Sequence, residues 1–158
     1  SLAKSLNNKK YIEDAKKLFL IQIGKNIDKN GITIDYKQRN AVAYAVYDLE
    51  PLVHTALLLN PELYFKKIGN HGVSLSQGIA WLKPYLTGDK RNIEFENTKN
   101  KFDLERKKEG LKEFQGSFNP MLARKLIFLV SQIDENYKNL SLSLNGESGG
   151  VYNFFCEK

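Results

Sequence analysis

With 158 residues, 42% of them hydrophobic and only 4 prolines, the chain has the size and apolar content of one globular domain with a real core. Its 24 basic and 18 acidic residues leave a net charge of +6, spread over many lysines, which suits a polyanionic partner without naming it. The lone Cys156 excludes an intrachain disulfide, and no run of about 18 apolar residues announces a membrane span.

The start, Ser1-Leu2-Ala3-Lys4, carries neither an initiator Met nor a charged-then-apolar signal, and reads as a trimmed or processed product. Residues 9–27 then place Tyr11, Ile12, Ala15, Leu18, Phe19 and Ile23 at three- and four-residue steps, which predicts an amphipathic helix. Asp28-Lys29-Asn30-Gly31 stops it. The alternation over residues 32–36 predicts an extended segment feeding a second helix over 37–59. Pro51 inside that stretch predicts a kink near Leu49 or two abutting helices.

Asn60-Pro61-Glu62 reads as a cap followed by a first-turn proline. Ser74 caps a helix over 75–86 that carries Ile79, Trp81, Leu82 and Leu86 inward, and Thr87-Gly88-Asp89 ends it. Two more helices are expected, over 101–114 and 120–137, the second rich in Leu122, Leu126, Ile127, Leu129 and Val130. The basic residues of 99–112 alternate with acids, the pattern of a solvated helix face. The expected organisation is therefore an all-α domain over 1–140 and a flexible tail over 141–158, rich in Gly and Ser before its aromatic end.

Chemistry concentrates where polar residues interrupt the 37–59 helix. At about 100° per residue, Lys37, Asn40, Ala41, Tyr44 and Asp48 fall on one side, and Val42, Val46, Leu49 and Val53 on another. A cation, an amide and a phenol sharing one cleft suit β-elimination from a uronic acid. In that reaction the sugar carboxylate is neutralised, a base removes the adjacent proton, and an acid protonates the departing glycosidic oxygen. The residues themselves equally allow Tyr44 to be an ordinary half-buried aromatic. His54, on a mostly apolar helix, reads as a rim histidine, and Asn70-His71 as an ordinary loop. Zinc spacing, a calcium loop and a glycine-rich phosphate cradle are all lacking, so no metal or cofactor is expected.

Several motifs in fixed order carry a family resemblance. They are Asn8-Lys9-Lys10-Tyr11, Ile27-Asp28-Lys29-Asn30-Gly31, Arg39 with Tyr44, and Tyr47-Asp48-Leu49-Glu50-Pro51-Leu52-Val53. Gly72-Val73-Ser74-Leu75, Ile79-Ala80-Trp81-Leu82-Lys83-Pro84-Tyr85-Leu86, Glu94-Phe95 and Phe102-Asp103 continue the series. Over residues 6–137 the chain resembles the carboxy-terminal half of the alginate lyase family.

The resemblance implies part of an (α/α) toroid, cleavage of mannuronate-containing polysaccharide by β-elimination, and a periplasmic or secreted location. It implies Tyr44 as the catalytic tyrosine, with Lys37, Arg39 and Asn40 toward the substrate. A lysine in the place of the family's usual arginine would hold a carboxylate less directionally. The family's Asn-His pair precedes its tyrosine, and no histidine precedes Tyr36 here, so the chain is expected to hold only part of a catalytic site. The alternative is a non-catalytic helical module gripping acidic polysaccharide. Neither nucleic acid nor membrane is expected as a partner, because the basic residues are diluted by acids and form no recognition helix. An incomplete toroid would expose an apolar face and self-associate through it.

Overall fold

The computed structural model describes residues 8–146. Eight α-helices follow one another: α1 Lys9–Asn26, α2 Ile34–Arg39, α3 Val42–Leu59, α4 Pro61–Lys66, α5 Leu75–Thr87, α6 Lys101–Lys108, α7 Arg124–Ser131 and α8 Lys138–Asn145. Short 3-10 turns lie at Asn70–Gly72, Lys112–Phe114, Pro120–Ala123 and Glu135–Tyr137. Among the described residues, extended pairing is limited to two isolated bridges, Ile27 with Thr33 and Ile93 with Ser117. The protein is all-α.

The hub is α3, which packs on α1, α2, α4, α5 and α7. Its Val42, Ala45, Val46, Leu49, Leu52, Val53 and Ala56 are buried, and Phe19 and Ile23 of α1, Ile79 and Leu82 of α5, and Leu126, Ile127 and Val130 of α7 join them in one core. Each fully buried Leu or Ile there contributes roughly 1.5–3 kcal/mol of transfer free energy. Gly78 lets α5 approach, since a Cβ at that position would stand 2.8 Å from Leu49 Cδ2 and 3.0 Å from Ile27 Cδ1. By length and mean hydropathy (18 residues, 1.2) α3 is long and apolar enough to cross a membrane, a property the run-length criterion missed because Asp48, Glu50 and His54 interrupt it.

Pro51 is accommodated inside α3, so the alternative of two abutting helices is not realised. The donor that proline lacks would have faced the carbonyl of Tyr47, a residue 75% exposed, where water can take its place. Capping follows the sequence signals elsewhere: Asn8, Thr33, Asn60 and Asn100 each accept a first-turn N–H through the side chain. Ser74 and Gln77 form a reciprocal capping box on α5, and Gly88, with φ 84°, closes it.

The expected boundaries fail in four places, each for a local reason. The extended segment over 32–36 shrinks to Ile32 and Thr33, because Thr33 caps a helix that starts at Ile34. The single helix over 37–59 is broken at Asn40, whose left-handed backbone (φ 53°, ψ 41°) ends α2 before Ala41 extends into α3. The helix over 101–114 stops at Lys108, with Gly110 in a left-handed conformation. The helix over 120–137 splits where Asp134, extended and accepting from the Asn136 N–H, caps a new turn. The boundary drawn at residue 140 falls within α8, which buries Ser141 and Leu144; the remainder of the tail, 147–158, lies outside the described residues.

One helix start is capped from a distance. Ala41 has no side chain with which to cap α3, and Glu94 supplies the acceptor from a loop 52 residues on, taking the N–H of Val42 at 2.9 Å and of Ala43 at 3.0 Å. Glu94 is 5% exposed, and Asn92 Nδ2 donates to it at 2.7 Å. A carboxylate there also meets the positive end of the helix. Glu94→Ala would orphan one buried and one half-buried donor, and is expected to cost about 2–3 kcal/mol. Urea unfolding checks this; a loss below about 1 kcal/mol would mean that water replaces the cap.

Candidate active site around Tyr44

Tyr44 sits in the first turn of α3, half-buried on a small second core made of Ala41, Phe95 and Phe114. Its ring meets Phe95 edge-on at 5.8 Å between centroids. Over its face lies the Arg39 guanidinium, 4.0 Å from the ring centroid, within the range of a cation–π contact. Arg39 Nη1 donates to Asp103 Oδ1 at 2.9 Å, and Asp103 is fully buried while Arg39 is 20% exposed. Thr98 Oγ1 donates to the second Asp103 oxygen at 3.0 Å. The tyrosine hydroxyl makes no hydrogen bond among the described residues and does not belong to the buried polar atoms left without a partner.

The break at Asn40 decides which predicted residues meet. A continuous helix would place Arg39 about 140° away from Tyr44, yet the left-handed turn brings its guanidinium onto the ring. Asn40 itself becomes a tie: its carbonyl accepts from Phe95 N and from Asn92 Nδ2, and its side chain accepts from Asn97 N. Lys37 pairs with Asp28 at 2.5 Å, but it also lines an open groove of about 520 Å3 with Gln38, Lys99, Asn100 and Lys101. The groove's lining residues Lys37 and Gln38 precede Arg39 in α2, and Lys99 to Lys101 lie between Thr98 and Asp103 in sequence. The histidines are elsewhere: His54 is exposed on α3 with Glu50 at 3.9 Å, and His71 is exposed in the Asn70–Gly72 turn against α1.

Sequence reasoning missed the roles of Asp103 and Glu94. Both carry contacts spanning more than fifty residues, and Asp103 looks in sequence like one acid among the charges of a solvated helix. Among the described residues, no group of three or more His, Cys, Asp or Glu side chains is placed to hold a metal ion.

Asp48, one turn after Tyr44, leaves Oδ2 buried and unpartnered, while Asn26 Nδ2 donates to Oδ1 at 2.7 Å. Burial, reinforced by the nearby Asp35 charge and opposed by the Asn26 bond, pushes the Asp48 carboxyl up to about 6. The folded protein therefore holds this proton more tightly than the unfolded chain, so the contribution is stabilising at low pH. It is lost as pH rises from about 4 through about 6. Asp48→Asn is expected to add on the order of 1–2 kcal/mol at neutral pH, discounted for partial solvent screening, and to flatten that fall. Thermal melts at several pH values test it; an unchanged pH dependence would show that Asp48 is already solvated.

Residues 1–93 of the chain's 158 match the family model described as alginate lyase. The chain belongs to the alginate lyase family, and so to the polysaccharide lyases. The match covers Lys37, Arg39, Asn40 and Tyr44 and stops just before Glu94; the similarity read over 94–137, and the assignment to a carboxy-terminal half, lie outside what it supports. No curated protein and no solved structure matches the chain.

Proposed function

We propose that this chain is part of a lyase domain, an (α/α) toroid in its complete form, that cleaves mannuronate-type alginate by β-elimination in the periplasm or outside the cell. The observation that carries the reading is the Arg39 guanidinium held over the Tyr44 ring by the buried Asp103. It places a guanidinium whose charge is balanced by Asp103 beside a phenol whose hydroxyl has no hydrogen-bond partner among the described residues. Lys37, on exchanging its Asp28 partner for substrate, and the guanidinium N–H groups of Arg39 that Asp103 does not take would neutralise the sugar carboxylate and so acidify the neighbouring C–H. The Tyr44 hydroxyl oxygen would take that C–H proton while its own proton passes to the departing glycosidic oxygen, so that the C=C bond forms as the C–O bond breaks and the tyrosine ends unchanged. Asn40 supports the site by holding the 92–97 loop.

A second reading, a helical module that binds acidic polysaccharide without cleaving it, is favoured by one observation. Neither histidine belongs to the Tyr44 cluster: His54 lies ten residues further along α3, roughly 15 Å by helical rise. Ultraviolet absorbance of the unsaturated uronate, followed on mannuronate-rich alginate and polyguluronate, separates the two. Product formation that Tyr44→Phe abolishes supports the lyase; saturable binding without product supports the module. Exposed Tyr11 and Leu18, seven residues apart and so on one face of α1, offer an apolar surface for self-association. A mass above the monomer is expected from light scattering, and a monomer at all concentrations would count against it.

A further inference from the structure

Away from the lysine-lined groove, a second recess of about 270 Å3 is walled by Tyr85, Lys90, Arg91, Asn92, Ser117 and Phe118. We infer that it is a subsite for one acidic sugar ring, a uronate of the polymer, with Tyr85 as the stacking face and Lys90 and Arg91 as the carboxylate clamp. The inference rests on the acidic-polysaccharide reading of the chain but not on its cleavage.

Three features favour this ligand. The first is size: the recess falls just below the roughly 300–1,000 Å3 of sites for drug-sized ligands, so it suits a single ring. The second is the aromatic wall, which is fixed in place. Tyr85 packs on Trp81 at 5.1 Å, Trp81 on Tyr36 at 4.7 Å, and the Tyr36 hydroxyl donates to Asn92 Oδ1 at 3.3 Å. A ring held this way offers its negative face to the polarised C–H groups of a pyranose.

The third is charge. Among the described residues neither Lys90 nor Arg91 has an acid within 4.0 Å. The nearest acid in sequence, Asp89, is turned to the Thr87 hydroxyl at 2.6 Å. Lys90 Nζ lies over the Tyr85 ring at 5.9 Å from its centroid, so a sugar against that ring would meet it. The guanidinium of Arg91, from the same recess, can grip a carboxylate with two parallel hydrogen bonds.

The walls are also stitched to the Tyr44 cluster. Glu94 N donates to Gly116 O at 2.8 Å and Phe118 N to Asn92 O at 2.9 Å, fixing the two loops against each other. Asn92 spends its own amide on Asn40 and Glu94. It is therefore a wall and a tether, not a ligand, and it links the recess to the N-terminus of α3, where Tyr44 sits.

Trp81 is the sole tryptophan, so its emission reports on the ring beside it without labels. Titration with a mannuronate tetrasaccharide should change that emission saturably, and a neutral tetrasaccharide should not. Lys90→Gln with Arg91→Gln, both exposed, should raise the Kd about tenfold or more. Lys9→Gln with Lys10→Gln, an equal charge change at the first turn of α1, should move it less than about twofold. Equal losses in both double variants, equal binding of the neutral sugar, or equal competition by a single-stranded RNA would overturn the subsite. Tyr44→Phe should titrate like wild type. Emission changes without any unsaturated product would sink the lyase reading and leave the subsite standing. Product formation with silent Trp81 and an unchanged KM in the Lys90/Arg91 variant would do the reverse.

Discussion

Asp103→Ala is expected to destabilise the protein by about 3–5 kcal/mol, the usual cost of removing one partner from a buried ion pair, moderated by the 20% exposure of Arg39. The reason is how α6 is attached. The only residue of that helix that is buried is Asp103 itself, while Phe102 and Leu104 are 48% and 40% exposed. Beyond the edge contact of Phe102 with Phe114 at 6.2 Å and a long bond from Lys107 Nζ to Phe95 O at 3.5 Å, α6 depends on Arg39 and Thr98 reaching its carboxylate. Removing that carboxylate leaves a guanidinium without its partner and frees it from the Tyr44 ring. Because the pair is shielded from solvent, raising the salt concentration should change the effect little. Asp103→Asn, which keeps one acceptor, should fall between wild type and alanine in urea unfolding. A loss under about 1 kcal/mol for Asp103→Ala would show that the pair behaves as a surface bridge.

Tyr44→Phe is expected to leave stability nearly unchanged, within about 0.5 kcal/mol, while lowering kcat on mannuronate-rich polymer by roughly 100- to 10,000-fold. The asymmetry follows from the geometry. The ring packs on Phe95 and carries Arg39, and phenylalanine keeps both contacts, whereas the hydroxyl bonds to no described residue. That hydroxyl is the atom on which the proposed proton transfer rests. KM should move little, because the removed atom matters when the glycosidic bond breaks and not when the sugar docks. Arg39→Lys should behave differently: it keeps the charge but loses the planar stack and the directional bond to Asp103, so KM and stability should both worsen. Retained kcat in Tyr44→Phe would remove Tyr44 from the chemistry, and a stability loss above about 1 kcal/mol would reveal a hidden hydrogen-bond partner.

The all-α class, the first and fifth helices and the caps at Asn60 and Ser74 were legible in the sequence, because they depend on apolar spacing and side chains within one turn of the backbone groups they satisfy. The sequence also singles out Arg39 and Tyr44 as residue types in a polar interruption of an apolar helix. Their mutual placement was not legible. One left-handed residue, Asn40, replaced a continuous helix with a corner, and its signal is weak because asparagine adopts ordinary helical geometry as readily. Nor could local pattern show that Glu94 caps α3, that Asp103 anchors Arg39, or that Tyr36, Trp81 and Tyr85 assemble one wall. Those contacts join segments many residues apart, and they exist only once the core around α3 has brought the segments together. Residue types and local periodicity therefore determined the helices and the chemistry available to this protein. The tertiary structure decided which charges are satisfied, which are left facing solvent, and which side chains surround the Tyr44 ring.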